Sequence, residues 1–155
     1  MGCKVIAIDL NDDALQGCKN QGADITLNSK SRADDWIGEV KARTKGGVHA
    51  AAVFSAATAA YQSAPSLIRP GGVLMVVGIA SEPLHVSTFD LAIGRYRIKS
   101  DSTGIPQRMK KAIDFTVKHG IVPELEVRPG LEDVDAMIKD MKAGRSSKRM
   151  AVVFE

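Results

Sequence analysis

Three observations predict an α/β fold built on a mainly parallel sheet. Short β-branched runs alternate with amphipathic stretches of helical length, the pattern of repeated strand–helix–strand units. One run, Val73-Leu74-Met75-Val76-Val77, is apolar throughout, as suits a strand covered on both faces. The first run, Lys4-Val5-Ile6-Ala7-Ile8, ends in Asp9, which places a carboxylate at a strand tip.

Strands are expected at residues 4–9, 25–28, 49–54, 72–77 and 97–99, where β-branched and apolar residues cluster between turn formers. Helices are expected at 12–20, 32–44, 57–68 and 88–93 from their 3.6-residue apolar spacing. Asn11 is placed to cap the first helix and Gly22 to stop it. Arg69-Pro70-Gly71-Gly72 reads as a turn that aims the chain into the central strand. The acid pairs Asp12-Asp13 and Asp34-Asp35 stand at helix starts, where carboxylates suit the dipole.

After about residue 104 the texture changes. A helix is expected over 106–119, an extended segment over 124–128 and a second helix over 131–142, with Leu131, Val134, Ile138 and Met141 on one face. A last strand is expected at 150–154. This divides the chain into residues 1–104, carrying the sheet, and residues 105–155, a C-terminal helix and return segment. No internal repeat or low-complexity linker occurs.

Composition narrows the function classes. The 155 residues suffice for a domain with a hydrophobic core, and 45% apolar with 25% charged residues is ordinary for a globular protein. The net charge of +3 is dispersed, which argues against a nucleic-acid or membrane surface. Two cysteines, Cys3 and Cys18, are too few for a disulfide framework or a four-cysteine zinc site and read as buried or partly buried thiols. No signal peptide and no apolar run of membrane-spanning length is seen, so the expected setting is cytoplasmic. His49, His85 and His119 form no metal-ligand spacing, so no metal site is expected. Ser63 and Ser66 lack a nucleophile-elbow context.

Asp9 is the strongest candidate site residue. In dinucleotide-binding folds an acid at the tip of the second strand accepts hydrogen bonds from the adenine ribose, about 20 residues after a G-x-G-x-x-G turn. Here eight residues precede Asp9 and the chain contains no G-x-G-x-x-G. The competing reading is a carboxylate that caps the following helix. Ser55 and Ala56 follow the third strand, at the carboxyl edge where ligands bind in open α/β sheets; loop packing is the alternative.

Taken in order, four stretches carry a resemblance. They are Gly2-Cys3-Lys4-Val5-Ile6-Ala7-Ile8-Asp9, Gly22-Ala23-Asp24, Leu67-Ile68-Arg69-Pro70-Gly71-Gly72 through Val76-Val77-Gly78, and Ser147-Lys148-Arg149-Met150-Ala151-Val152-Val153. The chain resembles the C-terminal, NAD-binding half of zinc-type medium-chain alcohol dehydrogenases, most closely the yeast-like branch, truncated at its N-terminus. The resemblance implies a partial Rossmann-like sheet lacking its first strand and glycine-rich loop, followed by a short helix–strand return segment. It implies NAD as cofactor, with Asp9 on the ribose and a preference over NADP, because a carboxylate repels a 2′-phosphate. It implies that Val77 offers a backbone carbonyl to the nicotinamide amide, that Ser102 lies in the matching later loop, and that Arg149 reaches the pyrophosphate. Ala14 stands where many relatives carry a basic residue toward the ribose, which weakens the adenosine side. No catalytic residue and no zinc ligand of the family has a counterpart here, so the isolated chain is expected to bind NAD weakly and to transfer no hydride.

Two other functions remain open on the sequence. Class I methyltransferases share the acid after strand two and a Pro-Gly-Gly turn, although the segment after residue 121 fits them less well. A non-enzymatic remnant that self-associates or binds another protein is the third reading. In the strand order 3-2-1-4-5-6, loss of strand 1 exposes two sheet edges. Direct pairing of the flanking strands, or a strand donated by a second copy, would cover them, so a homodimer or association with a homologous subunit is expected.

Overall fold

The computed structural model describes residues 2–31, 35–101, 104–146 and 148–153. The chain divides into two compact units, Met1–Gly104 and Ile105–Glu155.

In the first unit β1 (Ile6–Asp9), α1 (Asp12–Asn20), β2 (Ile25–Asn28), α2 (Trp36–Arg43), β3 (Val48–Val53), α3 (Thr58–Leu67), β4 (Ile68–Val76), α4 (Thr88–Ala92) and β5 (Tyr96–Ser100) follow one another. The α/β alternation and parallel pairing are those expected. β1 pairs with β2 in register Ile6 to Ile25 through Asp9 to Asn28, and β3-β4-β5 form a second parallel sheet.

Direct pairing across the expected gap does not occur. Among the described residues β1 and β3 belong to separate sheets, so the order is β2-β1 and β3-β4-β5 with no ladder between them. The reason is visible in the packing. Leu27, Val40 and Leu67 make a buried cluster that takes in Ile6 and Ile8 of β1 and Val48 of β3. The helices α2 and α3 thus hold both sheets on one core without bringing their edges together. A second cluster of Val53, Tyr61, Ala64, Ile68, Leu74 and Tyr96 fixes α3 against β3-β4-β5, with Leu74 fully buried.

Residues 69–72 depart from the expected turn. They lie within β4, where the register against β3 jumps from Val48–Ile68 to Ala50–Val73. Pro70 has no N–H to give to a ladder, and Gly71 sits at φ +76°, the left-handed region open to glycine, so the strand bulges here and continues. Both cysteines are exposed rather than buried. Asn11 caps α1 as expected, accepting from the N–H groups of Asp13 and Ala14, and Asp35 caps α2 through Gly38; Asp34 lies outside the described residues.

The second unit holds α5 (Pro106–Lys118), β6 (Leu125–Arg128), a 3-10 turn over Leu131–Asp133, α6 (Val134–Lys142) and β7 (Arg149–Val152), with β6 and β7 parallel. The expected apolar stripe of α6 is not its buried face. Met137 is the buried residue, while Leu131, Ile138 and Met141 are exposed. Charged side chains also tie the helix to β6. Arg128 on β6 donates to Glu126 and Asp140, each at 2.7 Å, and Arg145 donates to the other Asp140 oxygen at 2.7 Å. These two guanidinium groups hold the Asp140 carboxyl below its ordinary value. No helix of the described residues is long and apolar enough to cross a membrane.

Candidate functional site

The carboxyl ends of β1 and β2 form the first candidate surface. Asp9 is exposed at the tip of β1 and opposite Asn28 at the tip of β2. Its Oδ1 accepts from the N–H of Leu10 at 2.7 Å and of Asn11 at 3.0 Å, which pins the loop leaving the strand. The N-cap of α1 is Asn11, so Asp9 orders the turn before the helix and does not cap the helix itself. Asn28 cross-braces the same rim: its amide nitrogen donates to Leu10 O at 3.2 Å and Asp12 Oδ1 at 2.7 Å, and its oxygen accepts from Lys30 and Ser31. Asn28 is expected from the sequence only as a strand end, because the β1–β2 register that sets it opposite the acid is a tertiary feature.

The ends of β3 and β4 form the second. Val53 O accepts from the N–H groups of Val77 and Gly78, at 3.1 and 2.8 Å. A side chain at residue 78 would place its Cβ 2.6 Å from Phe54 O and nearer still to Ser55 O, so only glycine lets the two strand ends meet this closely. Tyr61, buried on α3, donates its hydroxyl to Gly78 O and so ties the loop to the helix. Its role was not legible, because a tyrosine on an apolar helix face reads as core.

Ser55 and Ala56 are exposed on the loop after β3, and Ser55 Oγ accepts from the Ala57 N–H at 3.0 Å. Val77 is half-buried and lines a cavity of about 300 Å³ with Tyr61, Gly78, Ile79, Leu84 and His85. The structure therefore brings Ser55, Ala56 and Val77 to one rim, joined through Gly78. Ser102 lies outside the described residues. Arg149 is exposed at the start of β7 in the second unit, paired with Leu125.

A dinucleotide can be set against this geometry part by part. The exposed carboxylate of Asp9 at a strand tip suits a ribose diol, and the mainly apolar cavity beside Val77 suits a flat, weakly polar ring. The phosphates fit poorly. A helix N-terminus normally offers N–H groups to such anions, but at α1 those groups are taken by Asn11 and neighboured by Asp12 and Asp13. The described residues thus fit the two ends of the molecule and not its middle. Among the described residues no group of three His, Cys, Asp or Glu side chains is placed to hold a metal ion.

Comparison with known proteins bears on the family and the fold. Residues 1–118 match the zinc-binding dehydrogenase family. An alcohol dehydrogenase of Geobacillus stearothermophilus is 32% identical over 153 residues, which is 98% of this chain and 44% of that protein. A second from the same organism is 28% identical over 152 residues, again 98% of this chain and 44% of the relative. The solved alcohol dehydrogenase of Aeropyrum pernix superposes with a TM-score of 0.85 at 20% identity, covering 98% of this chain and 43% of that one. The 2R,3R-butanediol dehydrogenase of Bacillus subtilis does so with a TM-score of 0.82 at 19% identity, over 98% and 44%. The chain spans less than half the length of these relatives. With the Rossmann-like alternation, the acid at the tip of β1 and the matched span in agreement, this chain belongs to the zinc-binding dehydrogenase family.

Proposed function

We propose that this chain is the NAD-binding portion of an alcohol dehydrogenase of the yeast-like branch, binding the cofactor weakly by itself. The observation that carries the reading is the exposed Asp9 carboxylate at the tip of β1, in a chain of this family. In this reading Asp9 holds the adenine ribose and repels a 2′-phosphate. Ser55 and Ala56 line the carboxyl rim that takes the cofactor, and Val77 offers a backbone carbonyl to the nicotinamide amide, with Ser102 in the matching later loop. NAD, when bound, supplies the hydride acceptor. The chain's own part is to position the ribose at Asp9 and to seat the nicotinamide half against the apolar cavity beside Val77. Alcohol oxidation also needs zinc to polarise the substrate oxygen, and that ligand set belongs to the remainder of a full-length dehydrogenase.

The test is thermal shift of the purified chain with NAD, NADP and S-adenosylmethionine. A small, concentration-dependent rise with NAD, less with NADP and none with S-adenosylmethionine is expected. A larger response to S-adenosylmethionine would turn the assignment toward a methyltransferase. With ethanol and zinc supplied, no formation of reduced cofactor is expected from the chain alone.

A further inference from the structure

Both backbone groups of Gly78 are taken, and by partners that adjoin each other. Its N–H donates to Val53 O at 2.8 Å, and its carbonyl accepts from the Tyr61 hydroxyl. That hydroxyl lies 3.5 Å from the same Val53 O. Across a trans peptide the C=O points opposite to the N–H that follows it, and the described residues contain no cis bond. The Val77 carbonyl therefore points away from Val53, and the Ile79 N–H points away from Tyr61. Among the described residues neither group has a hydrogen-bond partner.

An acceptor and a donor thus stand two residues apart on one edge of the chain, where Val77 and Ile79 line the cavity of about 300 Å³. In an apolar cavity a few polar groups of this kind fix the orientation of what binds. The complement of the pair is a primary carboxamide, whose NH2 donates to Val77 O while its oxygen accepts from the Ile79 N–H. The two groups are held in different ways. The Gly78 N–H bond to β3 sets the Val77 carbonyl, whereas the Ile79 N–H, on an exposed residue beyond the end of β4, takes its direction from the Tyr61 bond. Tyr61 can do this because its ring is buried in the cluster with Val53, Ala64 and Leu74, which fixes the hydroxyl in place.

Resting on the NAD reading above, we propose that Tyr61 is a positioning residue for the nicotinamide carboxamide. By holding Gly78 O, its hydroxyl turns the Ile79 N–H toward the cavity beside the Val77 carbonyl, so that one amide meets both. Tyr61 itself touches no reacting atom. Its hydroxyl matters to a ligand that carries the carboxamide and not to the adenosine half, whose partner is Asp9 at a different strand tip.

The test is NMR titration of the purified chain and of Tyr61→Phe with NAD, with its pyridine analogue that lacks the carboxamide, and with ADP-ribose, which lacks the ring altogether. Two hydrogen bonds to the carboxamide should make NAD bind about tenfold more tightly than the analogue, and loss of one should cut that preference to about threefold or less in Tyr61→Phe. ADP-ribose should bind both proteins alike, and the Ile79 amide resonance should shift with NAD but not with the analogue. An undiminished preference in Tyr61→Phe would overturn the inference while leaving NAD binding intact. So would an equal fall in ADP-ribose affinity, which marks a merely structural role, or a wild-type chain that binds NAD and the analogue equally. If no ligand shifted any amide, the NAD reading itself would fall, and the inference with it.

Discussion

Replacing Gly78 by alanine tests how tightly the rim is built. The added Cβ would stand 2.6 Å from the carbonyl oxygen of Phe54 and closer to that of Ser55. Both are backbone atoms, so relief requires the two strand ends to part by roughly half an ångström or more. That movement stretches the bonds from Val77 and Gly78 to Val53 O, now 3.1 and 2.8 Å. Overpacking of this kind costs about 1–3 kcal/mol, and two weakened backbone bonds add about 1 kcal/mol, for a loss of about 2–4 kcal/mol. Trp36, the single tryptophan, packs on the core of the same unit and reports its unfolding by fluorescence in urea. Gly17→Ala is the matched control. Gly17 lies inside α1 with nothing within 4 Å of the added methyl, so this change should stabilise by about 0.5–1 kcal/mol. If Gly78→Ala moved the urea midpoint no more than the control does, or raised it, the close approach inferred at the rim would be refuted.

Three further outcomes are expected. Leu74→Ala, at a residue with no exposed surface on β4, the middle strand of its sheet, should cost about 2–5 kcal/mol in the same assay. Asn28→Ala should loosen the rim at Asp9 without unfolding the unit, read as faster exchange of the Lys30 and Ser31 amides that Asn28 now holds. In the second unit the lowered Asp140 carboxyl gives a pH dependence of definite sign. A group with a depressed folded-state value stabilises fully above its unfolded value and loses that contribution as pH falls through the folded one. Protection of the β6–β7 amides should therefore hold from neutrality down to about pH 4 and fall below it, and Asp140→Asn should remove that acid-side fall.

Most of the elements were legible because their signals are local. The β2 limits and those of α1 follow from β-branched composition and from Asn11 as a cap, features that act over a few residues. What was misread depends on tertiary context. Residues 69–72 carry strong turn formers, yet the β3 ladder on either side of them, at Ile68 and Val73, and the pairing of Gly72 with Tyr96 make them a bulge within one strand. The apolar stripe of α6 was countable, but the residue the helix buries is Met137, and the Arg128–Asp140–Arg145 network that ties the helix to β6 joins residues spread from 128 to 145. The split between β1 and β3 shows the same limit. Strand order could be written from the fold class, whereas the choice between pairing and separation depended on how α2 and α3 fill the core. Asp9 was legible as a strand-tip acid; the cross-bracing by Asn28 and the Tyr61–Gly78 tie were not, since both join residues 17 or 18 positions apart.

The reading of Asp9 as a ribose ligand is tested most directly by calorimetric titration of the purified chain and of Asp9→Ala with NAD and NADP. Weak association with NAD, with a dissociation constant on the order of 1 mM, weaker still with NADP and abolished in Asp9→Ala, is the expected result. Submicromolar, stoichiometric uptake of NAD that survives the substitution would contradict it.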